Sequence, residues 1–337
     1  MADSKMSVRS LLETRVSQRP DDIFLISSAD DRHWTYSQFN DVVDRTAKAL
    51  QTMGVSKGDV VSLLLPNSPE YIFSYFACWK LGAVGGPINS LLKPDEISWA
   101  VSNSGSRLLI IDGSLRTLTE KVADTEIVNF EKLASIDTDA SPLAAIDISE
   151  DDNAILIYTS GTTGKPKGCI LTQGNLIANA RQIGEWMQFG SDDRLLTLMP
   201  LFHMNAVSVT TMTALYVGGS TVVSPKFSAS RFWDIIDRYK ITSFGSVATM
   251  LSMLLAARES AASDPLTTVS DHSSLRFAMC GSAPVPAEVL KRFEAAFDCL
   301  VIEGYGLSES TCRSTFNPPN KDRRPGSCGV PIGNEMA

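Results

Sequence analysis

Tyr158-Thr-Ser-Gly-Thr-Thr-Gly-Lys-Pro-Lys-Gly168 gathers in eleven residues the groups that hold a phosphate. Gly161, Gly164 and Gly168 permit turns that a Cβ would forbid and let main-chain N–H groups approach an anion closely. Thr159, Ser160, Thr162 and Thr163 add hydroxyl donors, Lys165 and Lys167 add positive charge, and Pro166 restricts bending. The spacing is not that of a Walker loop. Only Thr162 and Thr163 separate Gly161 from Gly164, and Pro166 stands where a metal-binding hydroxyl would be needed. Any one of these residues is ordinary in a surface loop; eleven consecutive positions of this type point to the phosphates of a nucleotide.

Further candidates lie downstream. Glu303-Gly-Tyr-Gly-Leu-Ser-Glu-Ser310 sets an aromatic ring between two glycines and follows it with a hydroxyl and a carboxylate. Tyr305 could stack on a purine, and Glu309 could hold magnesium beside nucleotide oxygens; a glycine-bounded turn with a solvated glutamate is the competing reading. His203, in Pro200-Leu-Phe-His-Met-Asn205, stands among apolar neighbours and by itself reads as a packing residue. Gly281-Ser-Ala-Pro284 and Gly326-Ser-Cys-Gly-Val-Pro-Ile-Gly333 read, taken singly, as turns.

These loops need elements to carry them, and the chain alternates strand and helix patterns. A helix is expected from an N-cap at Ser37, burying Phe39, Val42, Val43, Thr46, Ala47, Leu50 and Met53 and closing at Gly54. Strands are expected at 60–65, 108–111, 154–158, 169–171, 241–244, 275–280 and 300–302. Helices are expected at 69–81, from a cap at Thr172 to about 188, at 231–239 and at 286–297, with Pro286 in the first turn of the last. The aromatic residues of helix 69–81 are assigned to the core. Residues 114–151, acidic and weak in pattern, read as a connection between two halves. The result is an α/β fold around a mostly parallel sheet. Three loops (158–168, 281–284 and 304–309) follow strands, and ligands of such sheets gather beyond strand carboxyl ends, so one composite site on one sheet edge is expected.

Composition narrows the alternatives. With 337 residues, two lobes around a large core are expected. The formal net charge of −8 argues against nucleic-acid binding by phosphate neutralisation. Six widely spaced cysteines and three histidines offer no zinc-binding spacing and suit a reduced, cytoplasmic protein. The start has no apolar export segment, and the apolar stretch from Thr210 to Val223 is interrupted by Gly218-Gly219, so no membrane span is expected.

In this order and at this spacing the motifs resemble those of the adenylate-forming superfamily: acyl-CoA synthetases, peptide-synthetase adenylation domains and firefly-type luciferases. The resemblance covers essentially the whole chain. It implies a large adenylating domain of two mostly parallel sheets flanked by helices, spanning 1–337, with lobes near 1–150 and 151–337. Thr159, Ser160, Gly161, Thr162, Thr163, Gly164 and Lys167 are similar to residues that hold ATP phosphates. Gly281, Ser282, Ala283, Pro284, Glu303, Gly304 and Tyr305 are similar to the wall beside adenine. Ser308 and Glu309 resemble a Thr-Glu pair whose carboxylate serves Mg²⁺, with serine keeping the hydroxyl. His203 is similar to the residue beside the carboxylate entry in the CoA-ligase branch, and Lys226 to a position that touches coenzyme A. Catalytic roles are thus implied for Thr163, Lys167, His203 and Glu309.

The implied reaction has two steps. A carboxylate attacks the α-phosphate of ATP to give an acyl-adenylate and pyrophosphate, and the CoA thiol then displaces AMP. Amino-acid-activating relatives carry an aspartate where His203 stands, so an amino-acid substrate is disfavoured. The surroundings look most like short- or medium-chain acyl-CoA ligases, and among them those acting on crotonobetaine or carnitine. The resemblance allows a homodimer. It further implies a ribose-binding aspartate, a hinge arginine and a small mobile C-terminal domain with a catalytic lysine, all beyond Ala337, so impaired turnover is expected of this chain. A non-catalytic nucleotide-binding module is the alternative.

Overall fold

The computed structural model describes residues 6–138, 141–159, 166–261, 271–320 and 322–335. They fall into two compact units, one drawn from residues 1–25, 33–178 and 201–203, the other from 26–32, 179–200 and 204–337. Residues 151–178, assigned above to the second lobe, group with the first unit.

Helix α1 (Val8–Gln18) of the first unit is followed by strand β1 (Ile23–Ser27), whose last two residues count with the second unit, and then, again in the first, by strand β2 (His33–Thr35) and helix α2 (Tyr36–Thr52). Helix α2 starts earlier than its sequence suggests, because Thr35 rather than Ser37 caps it. The Thr35 hydroxyl accepts from Gln38 N (3.2 Å), and the Gln38 side chain accepts from Thr35 N (3.0 Å). Strand β3 (Val60–Leu64) leads to helix α3 (Pro69–Leu81), capped by Ser68 and stopped by Gly82 at φ +67°. Every side chain of α3 other than Glu70 is buried, the mark of a helix enclosed on all sides. Tyr71, Tyr75 and Trp79 stack at four-residue intervals with centroids 5.2 Å apart, and Phe24, Phe39 and Phe76 pack edge-on beside them. The expected aromatic core is therefore observed.

Strand β4 (Val84–Pro87) was not legible, since Val-Gly-Gly-Pro has little strand propensity. Its glycine has a packing reason: a Cβ on Gly85 would lie 2.9 Å from the Tyr75 ring. After helix α4 (Pro94–Asn103) and strand β5 (Leu108–Ile111), the stretch read as a connection contains strand β6 (Glu126–Asn129) and helix α5 (Phe130–Ala134). β6 pairs with β5 over its full length, which gives two apolar residues, Ile127 and Val128, a place in the sheet. Strands β7 (Asn153–Thr159) and β8 (Lys167–Thr172) complete a six-stranded sheet in the order β6-β5-β3-β4-β7-β8, parallel except for β7–β8.

Helix α6 (Gln173–Trp186) is capped by Thr172, as expected, whose hydroxyl accepts from Asn175 N at 3.2 Å. The second unit then supplies β9 (Arg194–Thr197), α7 (Thr213–Val217), β10 (Ser220–Val223), α8 (Phe232–Tyr239), β11 (Ser243–Ser246), α9 (Ala248–Ala261), β12 (Phe277–Cys280), α10 (Ala287–Phe297), β13 (Leu300–Tyr305), β14 (Thr315–Phe316) and β15 (Val330–Pro331). Its strands run β15-β14-β13-β12-β11-β9-β10, parallel from β13 to β10 and antiparallel at β14 and β15. Pro286 is the N-cap of α10 rather than part of its first turn. The two sheets, mostly parallel and flanked by helices, have the architecture expected. Among the described residues no helix is long and apolar enough to cross a membrane.

A π-helix, Asn205–Met212, precedes α7. Its sequence, Asn-Ala-Val-Ser-Val-Thr-Thr-Met, is rich in β-branched residues that favour strands, yet it is wholly buried and wound. Hydroxyls close the wider turns: Thr211 and Thr213 donate to the carbonyls of Ala206 and Ser208, both at 2.9 Å.

Candidate functional site

The glycine-threonine loop is the connection of a β-hairpin. Thr159 faces Lys167 and Tyr158 faces Gly168 across β7 and β8. Its base is fixed: the Tyr158 hydroxyl donates to Asn103 Oδ1 at 2.8 Å, and the ring meets Trp99 edge-on at 5.4 Å. Lys167 and Gly168 are exposed. Ser160, Gly161, Thr162, Thr163 and Gly164 lie outside the described residues. The hairpin belongs to the six-stranded sheet, whereas the loops after β12 and β13 belong to the other, so the three loops do not share one sheet edge. Local pattern could place each loop after a strand, but which strands pair is decided by long-range contacts.

His203 ends the short segment that belongs to the first unit. Asn67 Oδ1 accepts from Leu201 N (2.7 Å), and the Tyr75 hydroxyl donates to Leu201 O (2.9 Å), which fixes the backbone two residues before it. The imidazole is exposed and lies 4.7 Å from the Phe202 ring. Desolvation by the surrounding protein lowers its pKa below the ordinary 6.5, so at neutral pH the ring is uncharged.

In the second unit β12 and β13 are adjacent, with Cys280 opposite Glu303. This register sets Gly281–Pro284 beside Gly304–Glu309, so these two expected loops are neighbours. Ser282 takes a left-handed φ of +70°. Gly306 is required because a Cβ there would collide with Cys312 O, where the chain doubles back. Tyr305 is 46% exposed, and Glu309 is exposed on a single 3₁₀ turn, Ser308–Ser310. Glu303 differs from the other residues of its motif. Its carboxylate is buried and accepts from Gly326 N at 2.8 Å, so it anchors the start of the Gly326–Gly333 loop. Burial raises its pKa, against the opposing effects of that N–H and of Arg323.

Lys226 is exposed on the loop after β10. Four strand steps separate β10 from β13, about 19 Å at the usual spacing, so Lys226 is not gathered with Glu303–Glu309. No cluster of three or more acidic, histidine or cysteine side chains able to hold a metal occurs among the described residues. A magnesium ion arriving with a nucleotide needs only one carboxylate beside the phosphates, and exposed Glu309 has that chemistry.

The sequence reading passed over Arg313 and Asn205. Arg313 is 2% exposed, and its Nη1 donates to Gly304 O at 3.2 Å. Its Nε and Nη2, and both polar side-chain atoms of Asn205, are buried without a hydrogen-bond partner among the described residues. The signal was an arginine inside a short strand-forming run, Thr311-Cys-Arg-Ser-Thr-Phe316, where a charge is out of place.

A sequence model of the family described as AMP-binding enzyme matches residues 12–337. A long-chain-fatty-acid–CoA ligase of Mycobacterium tuberculosis is 31% identical over 310 residues, covering 89% of this chain and 60% of that protein. A sulfoacetate–CoA ligase of Cupriavidus necator is 32% identical over 340 residues, covering 97% of this chain and 65% of that protein. This chain thus spans about two thirds or less of these relatives' lengths. Among solved structures, the N-terminal domain of FACL13 from Mycobacterium tuberculosis superposes with a TM-score of 0.84 at 29% identity, over 94% of this chain and 79% of that one. O-succinylbenzoate coenzyme A synthetase from Bacillus subtilis, in complex with ATP and magnesium ion, gives a TM-score of 0.84 at 27% identity, over 98% of this chain and 66% of that one.

Proposed function

Since the chain belongs to the AMP-binding enzyme family, we propose that it activates a carboxylic acid with ATP, forming an acyl-adenylate and pyrophosphate and then a CoA thioester with release of AMP. The observation that carries this reading is the hairpin at Thr159–Lys167, whose pinned base presents a loop of hydroxyls, glycines and lysine charge in a chain matched to that family along residues 12–337. Relatives that are CoA ligases support the choice of thiol acceptor, and the ATP and magnesium ion held by one structural neighbour support the nucleotide.

In this proposal Thr159, Ser160, Gly161, Thr162, Thr163, Gly164 and Lys167 neutralise and orient the phosphates, with electrostatic stabilisation as their main contribution. Gly281–Pro284, Gly304 and the exposed Tyr305 ring border the base, while Glu303 acts through the loop it anchors. Glu309 takes magnesium when the nucleotide brings it, and the ion supplies charge neutralisation at the phosphates. His203, neutral at pH 7, accepts or donates a hydrogen bond without competing for the carboxylate as a cation would. Lys226 contributes on the coenzyme side. Action in the cytoplasm, supported by the widely spaced cysteines, and homodimerisation, supported by the resemblance, belong to the same proposal.

The test is AMP formation from ATP, CoA and a panel of carboxylic acids, followed with and without each acid. Acid-dependent AMP release is expected, and Lys167→Ala is expected to lower it at least tenfold, the scale of one lost phosphate contact. ATP binding with no acid-dependent AMP from any acid would overturn the ligase reading in favour of a non-catalytic nucleotide-binding module.

A further inference from the structure

Six buried side-chain nitrogen or oxygen atoms lack a hydrogen-bond partner among the described residues, and four of them belong to Asn205 and Arg313. The two residues share one face of the second unit's sheet. Gly245 on β11 is opposite Met279 on β12, which is opposite Ile302 on β13. Strand alternation then sets Gly245, Gly281 and Gly304 on that same face. Each glycine lies under one side chain. A Cβ on Gly245 would come within 2.6 Å of Asn205 Oδ1, one on Gly304 within 2.5 Å of the Phe316 ring, and one on Gly281 would collide with Arg313 Nη1.

Asn179 ties the two polar residues together. Its Oδ1 accepts from Ser208 Oγ (2.8 Å), one turn beyond Asn205, and from Arg313 N (3.3 Å), while its Nδ2 donates to Arg313 O (2.7 Å). Gly245 and Gly281 are one strand and two residues apart, about 8 Å, within the reach of one small molecule.

A guanidinium does not shed its proton, so a buried one needs an anion. Glu303, next to Gly304 in the chain, is turned to the opposite face of β13 and bonds Gly326. Phe316 covers the Arg313 plane at 5.2 Å, leaving its edge with Nε and Nη2 as an unfilled two-pronged donor. That fork matches an oxyanion held through two parallel hydrogen bonds. The reacting carboxylate is poorly suited to it, because a carboxylate gripped at both oxygens has none free to attack phosphorus.

We propose that Arg313, with Asn205 beside it, binds a second anionic group of the acid, so that the substrate is a small dianion such as a dicarboxylate or a sulfonated carboxylate. This rests on the carboxylate-activation reading above. An acid bearing a trimethylammonium group, such as carnitine, would meet like charge at Arg313 and is disfavoured.

The test pairs dicarboxylates of three to six carbons with monocarboxylates of equal length, reading both thermal stabilisation and acid-dependent AMP formation. At least one dicarboxylate is expected to bind tenfold or more tightly than its monocarboxylate partner. Arg313→Met should abolish that ratio and improve use of the monocarboxylate, a gain that simple misfolding cannot produce; Arg313→Lys should retain part of the preference. Equal binding of both series by the unmodified protein, or a ratio that survives Arg313→Met, overturns the inference. Should Arg313→Met fail to fold, the unmodified protein's ratio and Asn205→Leu decide in the same way. AMP formation from monocarboxylates alone would leave the ligase reading standing and sink this one. Arg313-dependent dianion binding without AMP from any acid would do the reverse.

Discussion

At the scale of single residues, the glycines of the Glu303–Ser310 motif have two separate uses. Chemistry would ask for glycine beside Tyr305 to leave the ring open, but packing already requires it. Gly304 lies under Phe316, and Gly306 passes so close to Cys312 O that no Cβ fits. The obstacle at Gly306 is backbone, which has little room to give, so Gly306→Ala is expected to cost about 2–4 kcal/mol. Urea denaturation would measure that loss, and a loss under 0.5 kcal/mol, on the order of an ordinary surface substitution, would show that the loop yields instead. Glu303 illustrates the same point. It sits in the motif as a candidate ligand-facing group, yet its carboxylate holds Gly326 and so shapes the Gly326–Gly333 loop, whereas Glu309 is exposed.

Helix α3 shows how an element can carry a charge in its core. Lys80 is 2% exposed, and its ammonium donates to Asn40 Oδ1 (2.8 Å) and is paired with Asp44, both on α2. The pair fixes the rotation of one helix against the other through a contact that apolar packing alone would leave free to slip. Removing only the acid leaves a buried cation. Asp44→Ala is therefore expected to destabilise by about 3 kcal/mol, whereas Lys80→Met, which removes the charge and keeps the volume, is expected to cost less than about 1.5 kcal/mol. Chemical denaturation of both variants checks the ordering. A larger loss for Lys80→Met would mean that the ammonium contributes net stability rather than orientation.

For the whole molecule, stability against pH is set by buried groups held away from their ordinary ionisation. Burial raises the thiols of Cys78 and Cys299 from 9.0 to about 12. The unfolded chain ionises them first, so their contribution is complete below pH 9 and is lost as pH rises towards 12, at about 1.4 kcal/mol per pH unit for each thiol. Cys78→Val with Cys299→Val should flatten the alkaline decline measured by denaturant midpoints; an unchanged slope would assign it to the buried tyrosines. On the acid side His203 acts with the opposite sign. Its folded pKa lies below 6.5, so unfolding gains a proton first as pH falls through that value and stability declines.

How much of this was legible follows from the range over which each feature is decided. The residue types of the Tyr158–Gly168 loop, the buried aromatic helix Pro69–Leu81 and the cap at Thr172 are each set within about a dozen positions, where periodicity, turn chemistry and residue type suffice, and the family is legible in the order and spacing of motifs along the whole chain. Strand β4 with its two glycines, strand β6, the π-helix at Asn205–Met212 and the split of the loops between two sheets are decided by partners distant in sequence, and no local pattern announces them. The same holds for Arg313. The sequence supplied an arginine, and only the tertiary structure buried it against Gly281 and Phe316, because whether a charge is solvated, paired or left waiting for a ligand depends on what the rest of the chain brings to it.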